Sequence, residues 1–170
     1  MDANERFAYY RLVFADRAGK KIVDESGLEM RYYLDTNILY FMLVRDTNSI
    51  SADVQNLIDD PYHILYTSTV AVHELIHIFQ IGRVRIGRHS PITDACKILS
   101  WLEDVGVVIR ETTPKHLLEY SNLPIQGDHR DPNDRLIIAQ AIADRVPLIS
   151  SDRKFSRYRG HGLNFVFNER

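Results

Sequence analysis

The 170-residue chain has one cysteine, Cys96. A lone thiol cannot close an internal disulfide, and a cysteine-rich zinc site is excluded with it. Cys96 stands among Ala95, Ile98 and Leu99, a setting that predicts a buried, small apolar role. No apolar run approaches the roughly 20 residues that cross a bilayer. The N-terminus also lacks the basic, apolar and small-residue succession of a signal peptide, so a cytoplasmic protein is expected. There is no excess of positive charge: the net charge of −2 argues against a general nucleic-acid coating protein, though not against a nuclease. No glycine-rich phosphate loop follows the apolar residues 32–34, which counts against dinucleotide binding.

What is present is an ordinary globular composition, sufficient for one domain with a real core. Residues 1–29 differ from the rest. Residues 11–14 and 21–24 could pair as a hairpin with Gly19 in the turn; this N-terminal extension, a hairpin or a non-native upstream segment, is expected to precede a domain over residues 30–170. Strands are expected at 31–34, 63–66, 107–109, 147–151 and 163–167. Helical segments separate them. Residues 38–43 form a short helix or turn. Ser51 caps a helix carrying Val54, Leu57 and Ile58, and Val70, Val72, Leu75, Ile76 and Phe79 mark another that stops near Gly82. A further helix runs from Pro91 through Leu102 to Gly106. Thr113 and Pro114 open one with Leu117 and Leu118 inward, and Asp131 and Pro132 open one with a core stripe of Leu136, Ile137, Ala141 and Ile142. Strands alternating with helices imply a three-layer α/β/α sandwich around a central parallel sheet of four to five strands.

Four acids fall at comparable places in this pattern. Asp35 and Asp152 follow strands, Glu74 lies inside an apolar helix, and Asp134 lies in the first turn of the helix before the fourth strand. Strand ends are where open parallel sheets bind ligands, although Asp35 alone reads equally well as a helix N-cap. Gathered in one cleft, four carboxylates would repel each other and be driven toward protonation unless a cation were bound. Oxygen ligands suit Mg²⁺ or Mn²⁺ better than zinc, and such an ion serves phosphodiester hydrolysis. Two basic clusters, Arg83, Arg85, Arg88 and His89, and Arg153, Lys154, Arg157 and Arg159, are candidate phosphate contacts that read equally as solvated faces. His73 and His77 lack a third ligand, and His129 could face the cleft but reads better as a loop residue.

Leu34-Asp35-Thr36-Asn37, Glu74 in its helix, Asp131-Pro132-Asn133-Asp134-Arg135 leading into Ile138-Ala139-Gln140-Ala141, and Ser150-Ser151-Asp152 together resemble the PIN-domain ribonucleases. The likeness is strongest to VapC-type toxins of bacterial toxin–antitoxin pairs, and it runs from Met30 to about Phe167. The resemblance implies a Mg²⁺-dependent (or Mn²⁺-dependent) endoribonuclease acting on RNA. Asp35 and Asp134 would be principal metal ligands, with Glu74 and Asp152 supporting. It further implies a cognate antitoxin and a homodimer, with residues 76–81 a surface for burial. Asn37 and Ser151 are candidates to orient carboxylates or meet substrate. Asp131 reads as a helix cap, and Arg135 as the partner of a nearby acid. Asn133 departs from the aromatic residue common in the family, a change expected to alter packing only. The alternatives are a catalytically inactive PIN-like nucleic-acid-binding or scaffold domain, and a phosphatase using Asp35 as nucleophile. The second is disfavoured because Asn37 stands where an acid or base would be wanted.

Overall fold

Tyr32, Tyr33 and Leu34 are buried in succession, the pattern of a strand covered on both faces. They end β1 (Met30–Leu34), the central strand of a five-stranded, wholly parallel sheet of order β3-β2-β1-β4-β5. The computed structural model describes residues 30–84, 92 and 94–169. The expected N-terminal hairpin and most of the first basic cluster lie outside them.

The described elements follow in order: α1 (Thr36–Val44), α2 (Ala52–Asp59), β2 (His63–Ser68), α3 (Thr69–Gln80), α4 (Lys97–Asp104), β3 (Val107–Arg110), α5 (Pro114–Asn122), α6 (Pro132–Asp144), β4 (Leu148–Ser150) and β5 (Phe165–Phe167), with short 3₁₀ segments at Thr47–Ser49 and Arg153–His161. This is the three-layer α/β/α arrangement expected from the alternation of strands and helices. Leu34 pairs with Thr67 of β2 on one side and Ile149 of β4 on the other. The chain thus moves outward from β1 through β2 to β3, then returns to the other side of β1 for β4 and β5. The reversal lies between β1 and β4, and the crevice past their carboxyl ends is the switch point where such sheets bind ligands.

Start and stop signals account for most boundaries. Ser51 Oγ accepts from Val54 N at 3.4 Å, Ser68 Oγ from Val70 N at 3.1 Å, and Asp131 Oδ1 from Asn133 N at 2.8 Å. Gly106, at φ +75°, turns the chain out of α4 into β3. No helix among the described residues is long and apolar enough to cross a membrane.

Three packing expectations are corrected. Cys96 is exposed rather than buried, because α4 begins one residue later and buries Ile98 and Leu102, leaving Cys96 and Leu99 outside. Leu117 and Leu118 point outward, 52% and 65% exposed. The buried residue of α5 is His116: its Nδ1 accepts from Thr113 N at 3.0 Å and its Nε2 meets Asp144 at 3.1 Å, so polar bonds set the helix phase. The third correction concerns α6, whose Arg135 and residues 137–141 are all buried, while Leu136 and Ile142 of the expected stripe are only half-buried. Among the described residues Arg135 meets no acid: its guanidinium stacks on Tyr120 and donates to Tyr120 OH and Leu123 O.

Candidate acidic site

Asp35 continues β1 by one residue, its N–H donating to Ile149 O at 3.1 Å, and its backbone then accepts the first bonds of α1. It is therefore both the end of a strand and the cap of a helix. Its side chain is 3% exposed. Oδ1 accepts from Thr36 N at 2.8 Å, and Oδ2 accepts from Asn37 Nδ2 and Ser150 Oγ, both at 2.6 Å. Burial nevertheless pushes its pKa up to about 7; the Ser150 and Thr36 hydrogen bonds oppose this, and the nearby Asp134 and Glu74 carboxylates add to it.

Glu74 lies in the second turn of α3, half-buried, and accepts from Thr36 Oγ1 at 2.7 Å. Thr36 thus holds both acids, one by its backbone and one by its hydroxyl. Asp134 enters from the first turn of α6. Burial raises its pKa to about 6, against a hydrogen bond from His129 and with the help of the Asp131 and Glu74 charges. Asp35, Glu74 and Asp134 line one open depression of about 260 Å³, together with Thr36, Asn37, Tyr40 and Ile78.

Asp152 caps the 3₁₀ segment after β4 through Oδ1, which accepts from Lys154 N at 2.8 Å. It groups with Asp134 and His129, one ligand-capable atom of each lying within 4.8 Å of the others. Asp134 is the member common to both sets. Asn37 holds Asp35 and also accepts from Ser151 N at 3.1 Å. The Ser151 hydroxyl faces elsewhere, accepting from Asn168 Nδ2 at 2.7 Å. Asp131 serves its helix terminus. The second basic cluster is largely engaged internally, with Lys154 and Arg157 on Asp128, and Arg159 on Phe165 O.

Sequence reasoning gave no role to Ser150 or Thr36, and it ranked a loop role for His129 above a place in the cleft. Ser150 ends a strand as an ordinary small polar residue, and only pairing between β1 and β4 brings it to Asp35. His129 offered one signal, its place five residues before Asp134, but nothing in the sequence puts it under Tyr158. The donor set suits a hard divalent cation: three carboxylates line one depression, and burial, the main cause of the raised pKa values of Asp35 and Asp134, disfavours ionised forms that a cation would stabilise.

The PIN domain family matches residues 32–161. This chain belongs to that family of nucleases. No curated protein matches the sequence. Among solved structures, the PIN domain here is similar to VapBC2 from Rickettsia felis bound to a DNA fragment from its promoter, at 21% identity over 82% of this chain and 100% of that one, TM-score 0.59. It is also similar to VapBC-1 from nontypeable Haemophilus influenzae, at 24% identity over 81% and 98%, TM-score 0.54. DNA-bound VapBC from Salmonella typhimurium matches at 15% identity over 81% and 98%, TM-score 0.53. At these identities the likeness concerns the fold.

Proposed function

We propose that this PIN domain is a Mg²⁺- or Mn²⁺-dependent endoribonuclease, the toxin of a type II toxin–antitoxin pair. The observation that carries the reading is the convergence of Asp35, Glu74 and Asp134 on one depression at the switch point of the sheet. Asp35 and Asp134 are the principal ligands, Glu74 and Asp152 the supporting ones. These residues would hold a divalent cation, which when bound would neutralise phosphodiester charge and lower the pKa of a water.

The chain's own contribution is order. Ser150, Asn37 and the Thr36 backbone fix Asp35 from three directions, and the Thr36 hydroxyl fixes Glu74. Carboxylates held this firmly need no rearrangement when a cation and a phosphate arrive. The neighbouring VapBC structures support a cognate antitoxin as partner, and a homodimer is part of the same proposal.

Purified protein is expected to cleave RNA with Mg²⁺ or Mn²⁺, and chelator or Asp35→Ala should abolish cleavage. RNA left intact with metal at high protein concentration, while the protein still bound it, would favour the inactive nucleic-acid-binding alternative. Expression should arrest growth unless a cognate antitoxin is supplied. Harmless expression of an active nuclease would overturn the toxin assignment alone.

A further inference from the structure

We propose that His129 is a positioning residue for the cation site. Held by Tyr158 as the Nε2–H tautomer, it fixes one oxygen of Asp134 and leaves the other for the ion. This inference rests on the metal-dependent reading above.

His129 is 3% exposed, with Nε2 at 3.1 Å from Asp134 Oδ2 and Nδ1 at 2.9 Å from Tyr158 OH. An ionised carboxylate only accepts, so Nε2 carries the hydrogen in that bond. In the neutral imidazole proposed here the lone pair is then at Nδ1, where the Tyr158 hydroxyl would donate. The relay has one direction: Tyr158 O–H to Nδ1, and Nε2–H to Oδ2. It leaves Asp134 Oδ1 as the oxygen outside the relay.

The ring has little freedom to swivel. Phe155 and Tyr158 stand edge-on to it, with centroids at 5.6 and 5.4 Å, and both are fully buried. The loop that carries His129 is tied at neighbouring points. His129 N donates to Gln126 O at 3.0 Å, and Asp128 is held by Lys154 at 2.8 Å and Arg157 at 2.6 Å. The relay therefore joins three separate segments: the loop before α6, the first turn of α6, and the 3₁₀ segment after β4. A histidine bonded on both ring nitrogens between a ligand carboxylate and a buried hydroxyl orients that carboxylate, as outer partners do in metal sites generally.

The test is Mn²⁺ binding by the full chain, followed by the electron paramagnetic resonance of the free ion, with no turnover required. His129→Leu should weaken binding by about 10- to 100-fold, whereas His129→Gln, whose amide nitrogen can replace Nε2, should stay within about 3-fold of the parent. Tyr158→Phe keeps the ring packing and removes the hydroxyl; it should weaken binding several-fold. Nitrogen-15 spectra of the parent should show the Nε2–H tautomer at His129. If His129→Leu does not fold, as judged by melting in chelator, Tyr158→Phe and the tautomer decide. Parent-like binding by the Leu variant, or a Gln variant no better than Leu, overturns the positioning role. A parent that binds no Mn²⁺ overturns the function proposed above and this inference with it.

Discussion

Ser150 Oγ donates to Asp35 Oδ2 at 2.6 Å, and the same oxygen accepts from Asn37 Nδ2 and from Asp152 N, each at 3.0 Å. One fully buried hydroxyl on β4 thus joins the acid of β1 to the start of the segment that carries the fourth acid. Ser150→Ala removes the joint without changing the strand. It should cost about 1–3 kcal/mol, because Asp35 stays buried with one donor fewer. The same variant should lower cleavage by about 10- to 100-fold, the usual penalty for losing a partner of a metal-ligating carboxylate. Urea denaturation and initial rates at saturating Mg²⁺ measure the two effects; an unchanged rate would separate Ser150 from the chemistry.

The raised pKa of Asp35 predicts an unusual dependence of stability on pH when metal is absent. Its ordinary value is 3.8 and its folded value about 7. Between these limits the native state holds a proton that the unfolded chain has released, so stability is greatest at the acid end and falls as pH rises. Asp134, raised to about 6, acts in the same direction over a narrower window. Asp144, whose pKa is lowered by its hydrogen bonds from Tyr33 and His116 against the effect of burial, loses stability only as pH falls below this range. In chelator the melting temperature should therefore drop from pH 5 to pH 7.5, by an amount on the order of a few kcal/mol of stability. Asp35→Asn should flatten the slope. Added Mg²⁺ should raise the melting temperature more at pH 7.5 than at pH 5, because it competes with protons for the same oxygens. A flat parent profile in chelator would contradict this account of Asp35.

On α5, two adjacent kinds of side chain should respond in opposite ways. Leu118→Lys is expected to change stability by less than about 0.5 kcal/mol, as for an ordinary surface position. His116→Ala should cost about 1–3 kcal/mol, because it removes a partner from Asp144 and from the Thr113 N–H. Denaturation midpoints of the two variants test this, and a Leu118 variant as damaging as the His116 one would mean that α5 is turned the other way.

The fold was readable because each strand is short, apolar and followed by a helix signal. All five strands lie where alternation places them, although β4 and β5 are shorter than their apolar runs. Helix phase was harder to read. Leu117 and Leu118 are apolar in sequence yet exposed, because a bond between α5 and the distant Asp144 decides which face turns inward. Cys96 fails for a related reason: its apolar neighbours belong to a helix that starts after it. At the site, the four acids carried a pattern of spacing and could be named. Ser150 carries none and His129 only its place five residues before Asp134, since their other contacts lie 115 and 29 residues away, with Asp35 and Tyr158.

The position of β4 also sets the order in which the site can come into existence. It follows β1, β2, β3 and α6 in the chain, yet it lies between β1 and β5, next to the central strand. A nascent chain that has left the ribosome only as far as α6 has three of the acids but lacks Ser150, Asp152 and Tyr158. Asp35 then faces a bare strand edge. The acidic pocket is thus closed by a long-range parallel pairing, of the kind that forms slowly, and only after β4 has emerged.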